Sequence, residues 1–266
     1  MAWSTLAGRK TLPMVVLAIL SMAVNALGER RQLQLMQDPA GDVLSYHGGA
    51  VLSGDIPVSI VWYGKFTPSQ KDVVVDFVRS LTPTSRQAAT PSAAQWWSTL
   101  ATFYLSNAAT GGGGGGGAKS VTTRVVLSSQ VSDEAYSLGK TLTLVQIFQL
   151  AAGTTPKRGA VVLDPPLGAP NGDAGVDGMM VTLASMLAGA VTNPFGGAYY
   201  QGDRDAALEA CTACAGVYGS GSYPGYAGKV LVDTASGGSY NAIGGGKRFL
   251  LPAIYNPATA GCSTTV

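Results

Sequence analysis

Charge is scarce in this chain. Lys, Arg, Asp and Glu make up only 12% of the residues and the net charge is +2, against about 25% charged residues in an ordinary soluble domain. That balance excludes a strongly basic nucleic-acid-binding surface and an acidic tail. Histidine is scarcer still, with His47 alone. A histidine-based metal centre or a Ser-His-Asp triad would have to be assembled around that one ring. Cysteine is limited to Cys211, Cys214 and Cys262, an odd number for a chain that folds in an oxidising compartment. The Cys211-Thr-Ala-Cys214 spacing could serve zinc or redox exchange. Zinc wants four ligands, however, and the sequence holds neither a second CxxC nor a histidine pair. The preferred reading is a disulfide between Cys214 and Cys262 that leaves Cys211 as a free thiol. No Asn-x-Ser/Thr sequon occurs, so nothing calls for N-glycosylation.

What is present is apolar and loop-rich: 46% hydrophobic residues, with 36 glycines and 14 prolines. Arg9 and Lys10 precede a nearly unbroken apolar run from Leu12 to Leu27. A basic flank, an apolar core of about 15 residues and small residues at its end define a secretory signal. Cleavage is expected after Ala26, with a cut near Gly28 as the close alternative. An uncleaved anchor helix needs about 20 apolar residues, and the polar run Glu29-Arg30-Arg31-Gln32 ends this one early. The organisation expected is a signal peptide over 1–26, a flexible leader over 27–45 and one domain over 46–266. The product is secreted to the extracellular space, with no membrane attachment after cleavage.

Within the domain, strands and helices alternate. Pro57–Tyr63 is β-rich, and Thr67-Pro68-Ser69-Gln70 opens a helix that carries Val73, Val74, Phe77, Val78 and Leu81 at helical spacing. A second helix starts near Thr90-Pro91-Ser92 and bears Trp96 and Trp97, read as core anchors rather than a sugar platform. Gly111–Gly117 reads as a flexible loop. It is not a phosphate-binding loop, because Ala118 separates it from Lys119-Ser120. Val121–Val131 is a strand, Thr141–Ala152 a helix, Gly159–Leu163 a short strand and Met179–Val191 a helix stopped by Thr192-Asn193-Pro194. Asp173 and Asp177 are read as helix-capping residues rather than calcium ligands. Short strands are expected at Lys229–Val232 and Phe249–Leu251. This pattern predicts a mixed α+β layered domain with a mixed sheet, several helices and Gly-rich loops. Tyr199, Tyr200, Tyr218, Tyr223 and Tyr226 lie in a Gly-rich tract. They either stack on sugars from loops or pack the tract against the sheet, and packing is the simpler reading.

An ordered series of segments resembles the plant EXORDIUM, or phosphate-induced, family. It comprises Tyr46-His47-Gly48-Gly49, Ile60–Phe66, Pro91-Ser92 with Trp96-Trp97, and Tyr136–Lys140. It continues with Ala169–Met180, Thr192–Gly202, Tyr223–Gly228, Pro257-Ala258-Thr259 and Cys262-Ser263-Thr264. The resemblance implies an apoplastic, non-catalytic protein tied to brassinosteroid-responsive growth and cell expansion. Its partner would be unknown but extracellular, a wall polysaccharide or a receptor. It also implies an internal truncation near 163–166: family members carry a long cysteine-bearing segment where Leu163-Asp164 here runs straight into Pro165-Pro166. Ser185–Pro194 is similar in spacing to the HELAExxTDP helix of some bacterial zinc peptidases, which makes a secreted metallopeptidase-like hydrolase the rival class. The metal-bearing positions hold Ser185, Met186 and Gly189, so a degenerate zincin-like scaffold without metal, cofactor or catalytic residues is the form expected.

Overall fold

β-branched and aromatic residues on both faces make one strand the spine of the molecule. The structure is a computed structural model that describes residues 15–20, 43–82, 90–105, 123–143 and 169–266. Its first elements are β1 (Val15–Leu20), β2 (Ser45–Tyr46) and β3 (Asp55–Tyr63). Six of the last seven residues of β3 are buried, as expected of a central strand in a parallel sheet covered on both sides. β1 pairs with it in parallel, from Val15 opposite Val58 to Leu20 opposite Tyr63. On its other edge lies β4 (Arg124–Asp133), also parallel, with one register shift between Val58 and Ser59. The apolar run of the predicted signal thus contributes a strand in the full-length chain.

Helix α1 (Pro68–Ser80) begins with a capping box. Thr67 Oγ1 accepts from the Gln70 amide at 3.3 Å, and Gln70 Oε1 accepts from the Thr67 amide at 2.9 Å. Its Val73, Val74, Phe77 and Val78 are buried against the rest of the core. Helix α2 (Ala93–Leu100) is capped by Ser92 and continues into a π-helical turn over Ala101–Leu105. Both tryptophans of α2 are buried, and each indole finds a carbonyl: Trp96 Nε1 donates to Pro252 at 2.8 Å and Trp97 Nε1 to Thr123 at 3.1 Å. They are core anchors.

Helix α3 (Ala174–Thr192) starts five residues before the expected Met179. Asp173 explains the early start, because its carboxylate accepts from the amides of Gly175 and Val176 and so satisfies the first turn despite its glycines. Asp177 is not a cap. It is buried inside the first turn and holds Asn171 through the Asn171 amide at 2.8 Å and Nδ2 at 2.6 Å. By length and composition α3 is the one helix among the described residues apolar enough to cross a membrane. It lies in the hydrophobic core, where apolar residues on most of its circumference find protein partners.

The remainder is built from two-stranded antiparallel ladders: β5 (Tyr199–Tyr200) on β2, β6 (Leu231–Val232) on β7 (Ser239–Tyr240), β8 (Ala242–Gly244) on β9 (Lys247–Phe249), and β10 (Ile254–Asn256) on β11 (Gly261–Ser263). The domain is mixed α+β, but among the described residues parallel and antiparallel pairing fall in separate sheets rather than in the one mixed sheet expected. Ladders this short cannot stand alone. They are tied down by side chains, above all Asn241, which is buried and makes three 2.7 Å bonds, to Tyr218 O, Leu251 O and the Leu251 amide. The cut site at Ala26, most of the 27–45 leader, the glycine run 111–117, the strand 159–163 and the 163–166 junction lie outside the described residues. So does the helix expected at 141–152 beyond Thr143.

Candidate functional site

Two sequence segments far apart in the chain meet at the C-terminal end of α3. Tyr46-His47-Gly48-Gly49 runs antiparallel to Phe195–Gln201, with Ser45 opposite Tyr200 and Tyr46 opposite Tyr199. The ladder continues beyond the strands: the His47 amide donates to Ala198 O and the Gly49 amide to Gly197 O, both at 2.8 Å. A Cβ on Gly49 would lie 2.3 Å from Gly197 O, so only glycine permits this approach. The His47 ring stacks on Tyr200, with centroids 3.8 Å apart and planes within 17°. Tyr46 leans on Tyr199, which meets the buried Tyr104 edge-on at 4.9 Å. The Tyr104 hydroxyl donates to Tyr255 O. An aromatic file therefore connects the surface to the last strands of the chain. Burial pushes the Tyr104 phenol far up, so it stays protonated.

His47 Nε2 lies 3.2 Å from both Ser45 Oγ and Tyr200 O, so one ring nitrogen faces a hydroxyl and a backbone carbonyl, and the tautomer decides which contact it donates to.

Beneath this surface sits a carboxylate. Asn193, at the C-terminus of α3, accepts from the Ala198 amide through Oδ1 and donates through Nδ2 to Glu209 Oε1 at 3.0 Å. Glu209 packs against Gly189, where an added Cβ would come within 2.0 Å of its Oε2. The position that is acidic in the zinc-peptidase helix is thus a glycine here, and the space is filled by a carboxylate from a loop. Burial raises the Glu209 pKa, partly offset by the Asn193 bond. Ser185 and Met186 are half-buried, and Ser185 Oγ bonds Val181 O of its own helix. Among the described residues no group of three His, Cys, Asp or Glu side chains converges as a metal site.

The cysteines take the arrangement Cys214–Cys262, with Cα atoms 5.8 Å apart and a sequence separation of 48. The bond ties the 3₁₀ turn over Thr212–Cys214 to β11. Cys211 is free and buried. Burial, and then the neighbouring Glu209, push its thiol well above the ordinary range, which leaves little thiolate for nucleophilic or metal chemistry. Of the five tyrosines of the Gly-rich tract, Tyr199 is buried and Tyr200 and Tyr218 are half-buried, whereas Tyr223 and Tyr226 are exposed. Packing accounts for the first three only. The polar residues that organise the region, Asn171, Asn193, Glu209 and Asn241, were not singled out by sequence reasoning. An asparagine that bridges backbone to backbone has no periodicity to betray it.

The molecule is thus a mixed α+β domain with a hydrogen-bonded surface histidine and a buried free thiol. It belongs to the family described as "Phosphate-induced protein 1 conserved region", which matches residues 44–164 and 162–265. It is 39% identical to Protein PHOSPHATE-INDUCED 1 of Nicotiana tabacum, over 93% of this chain and 96% of that protein. It is 40% identical to Protein EXORDIUM of Arabidopsis thaliana, over 94% and 96%, and 39% identical to Protein EXORDIUM-like 1 of the same plant, over 82% and 89%. No solved structure matches. The alignment with the tobacco protein runs over 311 positions, more than the 266 residues of this chain, so at least 45 of them face a gap here. The two blocks of the family match meet at Val162–Asp164.

Proposed function

We propose that this chain acts outside the cell as a non-catalytic protein of the EXORDIUM type, in the apoplast or wall, within brassinosteroid-responsive growth and cell expansion. The observation that carries the reading is the similarity to PHOSPHATE-INDUCED 1 and EXORDIUM across nearly the whole chain. The basic flank and apolar run at the N-terminus support export. Three features support the absence of catalysis. His47 Nε2 is shared between the Ser45 hydroxyl and a backbone carbonyl, Cys211 is buried with a raised pKa, and the helix that is similar to a zinc-peptidase helix has Gly189 covered by Glu209. A catalytic zinc needs three protein ligands and an open position, and Ser185 and Met186 supply none. The same substitutions speak against the metallopeptidase reading.

The test has two arms. A tagged full-length chain expressed in plant tissue should be recovered in apoplastic wash fluid, and disrupting its gene should blunt the elongation response to applied brassinosteroid. Purified protein should hold no stoichiometric zinc and cleave no peptide. Retention inside the cell, or zinc-dependent peptide hydrolysis, would overturn the reading.

A further inference from the structure

Residues 218–229 form a hairpin that is hydrogen-bonded between its arms and carries two aromatic rings at its tip. The Tyr218 and Gly219 amides both donate to Ala227 O, at 2.9 and 3.0 Å, and the Lys229 amide donates to Ser220 O at 2.8 Å. The arms touch backbone to backbone. A Cβ on Gly219 would lie 2.2 Å from Lys229 O, and one on Gly228 2.0 Å from Gly219 O. Below, the hairpin is anchored to the core: Asn241 Nδ2 donates to Tyr218 O, and the Ala253 amide donates to Val217 O. Above, Tyr223 and Tyr226 exchange reciprocal backbone bonds of 3.0 and 2.8 Å across Pro224-Gly225. Gly225 there has a φ of +90°, a conformation glycine adopts freely.

The two side chains at the tip are the reverse of packed. Tyr223 is 65% exposed and Tyr226 42%. Their rings lie 5.1 Å apart at 41°, so Tyr226 leans against Tyr223 while most of Tyr223 stays open to solvent. Proline, reciprocal bonds and a buttressing ring remove most of the freedom that a ligand would otherwise have to freeze out. The one ionisable group on the arms besides the tyrosines is Lys229, at the foot and not the tip. Pro224 and Gly225 add no charge.

We propose that Tyr223, braced by Tyr226, is a stacking platform for a neutral β-linked pyranose chain. Where its units are glucose, such a chain turns its hydroxyls to the equator and presents flat C–H faces, the surface that an aromatic ring takes up while its hydroxyl stays in water. The inference rests on the extracellular reading above, which places the chain among wall polysaccharides. It also names the ligand class that this reading leaves open.

The test is affinity gel electrophoresis of the purified chain through hydroxyethyl cellulose, a soluble β-linked glucan, with polygalacturonate as the charged control. Wild type should be retarded by the glucan, and the retardation should survive 0.5 M salt, on the order of the ionic strength that screens surface charge to a few ångströms. Tyr223→Ala should weaken binding about tenfold, Tyr226→Ala should weaken it less, and Tyr223→Phe should retain it. All four proteins should melt at the same temperature, because these rings contribute little to the core. Failure of wild type to bind, or full binding by Tyr223→Ala, overturns the proposal. So does retardation by polygalacturonate alone that salt abolishes, or a light-scattering mass that halves in Tyr223→Ala, which would assign the tip to a second copy. Location is assayed separately. An exported chain that ignores glucan loses only this inference, whereas a glucan-binding chain retained in the cell loses the extracellular reading.

Discussion

The parallel sheet with its helices and the C-terminal ladders reach their folds by different means. In the first region, β3, α1 and α2 bury regular apolar stripes, and the core follows from the period of the sequence. In the second, from Gly196 onward, no strand exceeds three residues. Order there comes from single polar side chains bridging backbone, from glycines allowing backbone contact, and from one disulfide. A periodic core spreads its stability over many small contacts. A pinned region concentrates it, so single substitutions should cost far more in the second region than in the first.

The largest loss is expected at Asn241. Asn241→Ala removes three bonds from a buried position and strands two carbonyls and an amide, each costing about 1–3 kcal/mol. Denaturant unfolding should show a loss of about 4 kcal/mol. Breaking the disulfide comes next. With a sequence separation of 48 between the cysteines, Cys262→Ser should cost about 3 kcal/mol in denaturant unfolding. A loss of under about 1 kcal/mol in either variant would mean that the ladders are held by packing after all, and the contrast between the regions would fail.

Glu209 sharpens the comparison through pH. Its folded pKa is raised by burial, so the folded state binds the proton more tightly than the unfolded chain does. Its contribution to stability is fully present below the ordinary glutamate range. It is lost as pH rises from there through the raised folded value. Asp173, lowered chiefly by the Gln70 bond, acts in the opposite sense, so the informative quantity is a difference between proteins. Glu209→Gln keeps an oxygen for Asn193 and has no charge to bury. Relative to wild type it should gain stability as pH rises from 4 to 8, read as a growing difference in melting temperature. A constant difference would show that Glu209 is not buried in the folded state. The smallest effect belongs to the first region: Arg124 and Asp55 form a bidentate surface pair at 2.7 and 2.8 Å, and Arg124→Ala should leave the melting temperature unchanged.

The same contrast decides what the sequence discloses. Thr67-Pro68 with Gln70 announces α1, and the apolar spacing from Val73 to Leu81 announces its buried face. Pro57–Tyr63 and Val121–Val131 read as strands within a few residues of their observed limits. The apolar run alone places the start of α3 at Met179, and only the Asp173 cap shows why Ala174–Gly178, with its two glycines, is helical as well. Past Pro194 the sequence offers turn residues and tyrosines but no period. Whether a tyrosine packs, as Tyr199 does, or stands free, as Tyr223 does, depends on contacts between segments tens of residues apart. The site at His47 was legible only as two motifs, and their pairing is a tertiary fact.

The signal segment joins both themes. In the full-length chain Val15–Leu20 fills one edge of β3, yet a cut after Ala26 would remove it. The measurement that tests the extracellular account most directly is mass spectrometry of the N-terminal peptide of tagged protein from apoplastic wash fluid, paired with amide exchange across Val58–Tyr63. The account predicts a chain that begins at Leu27, or within a few residues of it, with faster exchange along β3 than in the full-length chain. An intact Met1, found only in the cell pellet and with β3 equally protected, would contradict it.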